Sequence, residues 1–439
     1  MRIIGMVVLM SISSVHLAVG QQSPTLKLLA MAANGTATEV RDAIAMGANV
    51  EARDMFGYTP LMLAAYKGSP DTVRALLTAH ANAQDTNKQE GGLTALMIAA
   101  ASNPNVEVTK LLLDAGSSVE SVIESKTTGF IAIDANQAHD SSLFAYDGLG
   151  VSGDTALMLA LKNTNIQVVE TLIKAGASVE ARDAIGTTAL MLVAYQRNAD
   201  QMAKLLIHWG ANVEDRDIHG YTPLMYAAGD GNSVPLIDTL LAAGANPADR
   251  QENGFSAVEI AATNSNIEIL KELLNHGGTI DAPSKTNGGF SPLIMAVMSS
   301  NIDAVQFLLS HGPDVHLKSD LTNFHDTENV IGPDFRTTGI SALMFTAFAF
   351  NHAKAIEGIV RALLAAGEPI DERSGNGMTA LMYVAEYGRS AETLLSLLSA
   401  HADPNLKSLA GKTAWDYIQQ NDNLKDSSAY WALNNARFH

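Results

Sequence analysis

The chain contains no cysteine. This excludes structural disulfides, thiolate metal sites, a cysteine nucleophile and a lipid-modified N-terminal cysteine. Aromatic residues are scarce at 6%, which argues against a core assembled around rings. Positive charge is also short, with 28 Lys and Arg against 46 Asp and Glu for a net charge of −18. No basic run compensates for it. Such a surface repels a phosphate backbone, so nucleic-acid binding is not expected, whereas a partner with a basic face would be steered toward it. Past the N-terminus no stretch is apolar over the roughly 20 residues a membrane span needs. There is no G-x-S-x-G elbow, phosphate loop, H-E-x-x-H or calcium loop. No catalytic, cofactor-binding or metal-ligating residue is therefore assigned, and the chain is expected not to be an enzyme.

What is abundant is small and aliphatic. Apolar residues make up 47% of the 439 positions, mostly Ala, Leu, Val, Ile and Met, which suits closely packed helices. At the N-terminus Arg2 precedes an apolar stretch from Ile3 to Met10. A mixed segment then ends in Ala18-Val19-Gly20. That order predicts a signal peptide over 1–20, cleaved before Gln21, and a periplasmic or secreted protein with no membrane span after cleavage.

A four-residue phrase then recurs. It stands as Thr59-Pro60-Leu61-Met62, Thr94-Ala95-Leu96-Met97, Thr155-Ala156-Leu157-Met158, Thr188-Ala189-Leu190-Met191 and Thr222-Pro223-Leu224-Met225, and returns at Ser341 and Thr379. Looser copies begin at Ser256, Ser291 and Thr413, and the starts at 155, 188, 222, 256 and 291 are 33 to 35 residues apart. Within one period Thr155 reads as a helix N-cap, and Leu157, Met158 and Leu161 as one buried face. Asn163-Thr164-Asn165 breaks the helix, and Ile166, Val169, Leu172 and Ile173 mark a second. Gly176 stands where a left-handed residue ends a helix, and an extended piece, Ser178 to Asp183, leads on to the next Thr.

This unit resembles the ankyrin repeat over nearly all of residues 24–439. The resemblance implies an all-α solenoid of about ten to eleven helix-turn-helix units with short β-turn fingers, in a domain spanning 21–439. One departure is systematic. The family's fourth motif residue is usually His, linking neighbouring repeats by hydrogen bonds, and here it is Met in seven copies, so packing is expected to replace the polar link. Residues 24–54 keep the helical period without the Thr-Pro start and read as an N-terminal cap. Residues 413–439 read as a C-terminal cap, and the array is expected to be complete.

The period breaks twice. Thr94 and Thr155 are 61 residues apart, and Ser291 and Ser341 are 50 apart. The excess falls in the fingers, as insertions over 121–153 and 317–339 that carry Phe144, Tyr146, Phe324 and Phe335 as candidate partner anchors. Each also holds a His-Asp pair, His139-Asp140 and His325-Asp326. These read as solvated loop residues, with a metal-dependent hydrolase as the rival reading. His80, His208, His276, His311 and His401 sit at the ends of second helices, where capping accounts for them. The E-A-R-D runs at 51–54 and 180–183 are expected to hold an Arg–Asp contact within one repeat. Asn34-Gly35-Thr36 is a glycosylation sequon in a eukaryotic source.

The family resemblance implies a monomeric protein-binding scaffold that engages one protein partner through finger tips and first-helix surfaces on its concave side. Carried onto this chain, the contact residues are Phe56, Tyr58, Tyr66, Ile185, Tyr195, Ile218, His219 and Tyr221. A more specific form is an inhibitor or protective partner of an exported enzyme.

Overall fold

The computed structural model describes residues 23–124, 152–196, 199–230, 233–281, 288–322, 337–349 and 353–438. Residues 1–20, Phe144, Tyr146, Phe324, Phe335 and both His-Asp pairs lie outside them. The chain divides into two compact units, Met1–Ile218 and His219–His439.

The first unit holds five helix pairs among its described residues: α1 Pro24–Asn34 with α2 Ala37–Ala45, α3 Pro60–Lys67 with α4 Pro70–Thr78, α5 Ala95–Ser102 with α6 Val106–Asp114, α7 Ala156–Lys162 with α8 Ile166–Lys174, and α9 Ala189–Ala194 with α10 Asp200–His208. The second holds six: α11 Pro223–Asp230 with α12 Val234–Ala242, α13 Ala257–Ala262 with α14 Ile267–Asn275, α15 Pro292–Met298 with α16 Ile302–Ser310, α17 Ala342–Phe345 with α18 Ala353–Ala365, α19 Ala380–Tyr387 with α20 Ala391–Ser399, and α21 Ala414–Ile418 with α22 Ser428–Ala436. Within each unit first helices pack on first helices and second on second, the arrangement of an all-α repeat solenoid.

The recurring phrase works through its cap. The Thr59 hydroxyl accepts the Met62 N–H at 3.3 Å, Thr94 accepts Met97 at 3.2 Å and Thr379 accepts Met382 at 3.4 Å. Each satisfies one of the donors a helix start leaves free. The N-terminal cap keeps this device, contrary to expectation: Ser23 accepts the Leu26 N–H and Pro24 opens α1, so Ser-Pro does the work of Thr-Pro.

First helices flanked on both sides are buried almost all round, not on one face. Every residue from Ala156 to Leu161 is buried, as is every residue from Ala95 to Ala101, because a neighbouring first helix covers each side. Met62, Met97, Met158, Met191, Met225, Met344 and Met382 are all core residues, each contributing roughly 1.5–3 kcal/mol of apolar burial. Second helices bury one stripe, such as Val168, Val169, Leu172 and Ile173, and leave charges on the other side.

The broken intervals open from fingers and return to them. Val122 bridges Thr155, and the Ile123 N–H donates to Asp154 O at 3.0 Å. Ser319 bridges Ile340, and the Leu321 N–H donates to Thr337 O at 2.9 Å.

Candidate functional site

The fingers at 54–58 and 183–187 are tight turns, each built around one acceptor side chain. Asp54 Oδ1 accepts the N–H groups of Phe56 and Tyr58 at 3.0 and 2.8 Å, and the Asp54 N–H donates to Tyr58 O at 3.0 Å. Asp183 repeats this with Ile185 and Thr187 at 3.0 and 2.8 Å. The turn closes through Gly57 at φ +83° and Gly186 at φ +78°, a conformation that strains any residue with a Cβ. Burial raises the Asp183 carboxyl above the usual range. The hydrogen bonds from Thr187 and Ile185 act against that rise, and the Asp154 charge adds to it.

Fingers are tied to one another by three ladders. In the first, a carboxylate accepts a backbone N–H of the next repeat: Glu51 from Asn82 at 2.8 Å, Glu120 from Ser178 at 2.9 Å, Glu180 from Asn212 at 2.9 Å, Asp281 from Asp314 at 2.9 Å and Asp371 from Asp403 at 3.0 Å. In the second, a cation two residues on reaches forward. Arg53 donates to Thr86 O and pairs with Asp85 at 2.6 Å. Arg182 donates to Arg216 O and pairs with Asp215 at 2.7 Å. Arg373 donates to Lys407 O. The third joins the tips directly: Ile218 N–H to Ile185 O at 3.0 Å, Glu252 to His219 at 3.0 Å and Leu409 to Asn376 at 3.0 Å. The expected Arg–Asp contact within a repeat is thus corrected to one between repeats. Arg53 and Arg182 do touch their own fingers, at Gly57 O and Gly186 O, but their acidic partners lie 32 and 33 residues ahead.

A polar link between repeats exists after all, away from the methionine position. The Asn103 amide donates to Ala65 O and Gly68 O at 3.1 and 3.2 Å, and Asn421 to Ala385 O and Gly388 O at 3.1 and 2.9 Å. Asn264 and Asn301 serve the same ends in their own repeats. Each of these amides reaches back to the carbonyls that the preceding first helix leaves open. The signal for them is an Asn 8 to 10 residues after the starts at Thr94, Ser256, Ser291 and Thr413.

Of the expected contact residues, Ile218 is 53% exposed at a tip and His219 is exposed beside it. Phe56, Ile185, Tyr195 and Tyr221 are half-buried. Tyr58, at 1% exposed, and Tyr66 are core residues. They are corrected from surface to packing, because neighbouring repeats cover both. Two further finger tips, Met55 at 71% and Leu409 at 78%, are more exposed than Ile218.

His80 and His401 hold the left-handed position at φ +63° and +67°. His276 and His311 place Nδ1 at 2.9 and 2.8 Å from Glu272 O and Phe307 O, in their helix-end roles. Among the described residues no group of three or more His, Asp or Glu could hold a metal ion, and no helix is long and apolar enough to cross a membrane.

A family model described as ankyrin repeats in three copies matches residues 15–123, 157–251 and 224–319, and one described as a single ankyrin repeat matches 376–409. No curated protein matches the chain.

Proposed function

The chain belongs to the ankyrin-repeat family, whose members are protein-interaction scaffolds, and on that premise we propose that it acts outside the cytoplasm and holds one partner on its finger tips. The observation that carries this is the contrast between apolar tips and their setting. Met55 and Ile218 of the first unit stand exposed on turns whose backbones are hydrogen-bonded. A tip held in this way loses little conformational freedom on docking. Exposed apolar side chains on a rigid frame supply the central anchors of an interface. The net charge of −18 favours a partner with a basic face. Catalysis has no part in this reading. Export is supported by Arg2, the apolar stretch to Met10 and the small residues at 18 and 20.

The test is crosslinking and capture from the exported fraction. The triple variant Phe56→Asp, Ile185→Asp and Ile218→Asp is expected to retain its helical circular dichroism and lose partner capture at least tenfold. Undiminished capture rejects the finger surface, and no crosslinked protein with the unaltered chain rejects a binding role. Mass spectrometry of the same fraction is expected to find Gln21 at the N-terminus. A chain beginning at Met1 and confined to the cytoplasm rejects the location.

A further inference from the structure

After the left-handed residue that ends a second helix, six repeats place a small buried side chain: Ala81, Ala177, Ala211, Ala245 and Ala402, with Ser117 in one copy. After Gly367 that position is Glu368, 3% exposed. Its backbone is unchanged, since the Glu368 N–H donates to Leu363 O just as the Ala177 N–H donates to Leu172 O. A carboxyl group therefore occupies a slot built for a methyl group. Oε1 accepts the Leu343 N–H at 2.8 Å, while Oε2 has no hydrogen-bond partner. Glu372 on the same finger places Oε1 at 2.6 Å from Lys318 Nζ, and its Oε2 also has no partner. Lys318 lies on the outgoing side of the second broken interval, just before the Ser319–Ile340 bridge, and Leu343 lies just past its return. One finger thus grips both sides of the interval's base.

We propose that Glu368 and Glu372 form a proton-operated clasp on the base of the second interval, which tightens when Glu368 takes up a proton. The charged groups facing Glu368 are Glu372 on its own finger and Lys318 on the preceding one. Ser341 and the Leu343 N–H add neutral donors from α17. Burial pushes the Glu368 carboxyl up to about 7. The Ser341 and Leu343 hydrogen bonds act against that rise, Glu372 adds to it and Lys318 opposes it. Protonation removes an incompletely solvated charge and its repulsion with Glu372. With the value raised in the closed form and about 4.5 in an opened one, the stabilisation is complete below 4.5 and is lost as pH rises through 7.

Amide hydrogen exchange at Leu343, corrected for intrinsic rates, reads the clasp. Protection is expected to fall about 30-fold between pH 5.5 and pH 8 in the unaltered chain, and to be flat in Glu368→Gln. A flat profile in the unaltered chain, or the same fall in the variant, overturns the proposal. Should Gln be poorly accommodated, Glu368→Ala restores the residue found at this slot in other repeats and must likewise be flat.

Discussion

Asn103 shows how much one buried amide does in a repeat array. Its Nδ2 serves two carbonyls of the preceding repeat, and its Oδ1 accepts the Asn105 N–H at 3.0 Å. Alanine there would strand both carbonyls in a buried setting. Asn103→Ala is expected to lower unfolding free energy by about 1–3 kcal/mol, read by urea titration. Arg53→Ala is expected to cost less, at most about 1 kcal/mol, because the Arg53–Asp85 pair is half-exposed and screened by water. If Arg53→Ala proved the more harmful, the finger ladder and not the amide link would be the main join between repeats. The residue scale is also where Tyr58 and Tyr66 escape a reading by sequence. Spacing places Tyr66 on a helix and Tyr58 in the finger before it, but not whether the neighbouring repeat covers them.

At the scale of the element, the second helices end in two ways. Most close on a glycine, as at Gly176 with φ +96°, while His80 and His401 adopt the same left-handed geometry with a Cβ present. That conformation costs a non-glycine residue about 1 kcal/mol. His80→Gly and His401→Gly are each expected to raise stability by about that amount, measured as an upward shift of the thermal midpoint. A downward shift would show that the imidazole contributes more at the helix end than its strain removes. The first helices were legible from Thr94-Ala95-Leu96-Met97 and its copies because cap and helix lie in one local stretch. Their all-round burial corrects the single face read from Leu157, Met158 and Leu161, since the run Ala-Leu-Met-Leu-Ala-Leu over 156–161 has no polar side to offer water. The finger ladders were not, because donor and acceptor lie a full repeat apart: Glu51 meets Asn82, Glu180 meets Asn212 and Asp371 meets Asp403. Only an offset of 31 to 33 residues, recurring wherever no broken interval intervenes, betrays them.

For the whole molecule, 46 acidic residues against 28 basic ones leave more repulsion than the ion pairs absorb. Several of those pairs, including Arg74–Glu107 and Arg361–Glu357, lie at the surface and contribute little. Added salt screens the repulsion and the pairs alike, and the repulsion is the larger. The thermal midpoint is therefore expected to rise by a few degrees between 20 and about 300 mM sodium chloride. A fall would place more of the stability in the Arg53, Arg182 and Lys318 pairs than their exposure allows.

The finger ladders also have a direction. In the first ladder, and in the Arg-to-carbonyl bonds of the second, the earlier repeat supplies the Glu, Asp or Arg and the later one supplies the backbone group. On a ribosome, then, these rungs cannot form until the next repeat has emerged, a delay of roughly two to seven seconds at ordinary rates of synthesis. Each finger can thus close its own turn as it emerges while its forward rungs wait on the next repeat, so that a pause in translation leaves one set of rungs unmade.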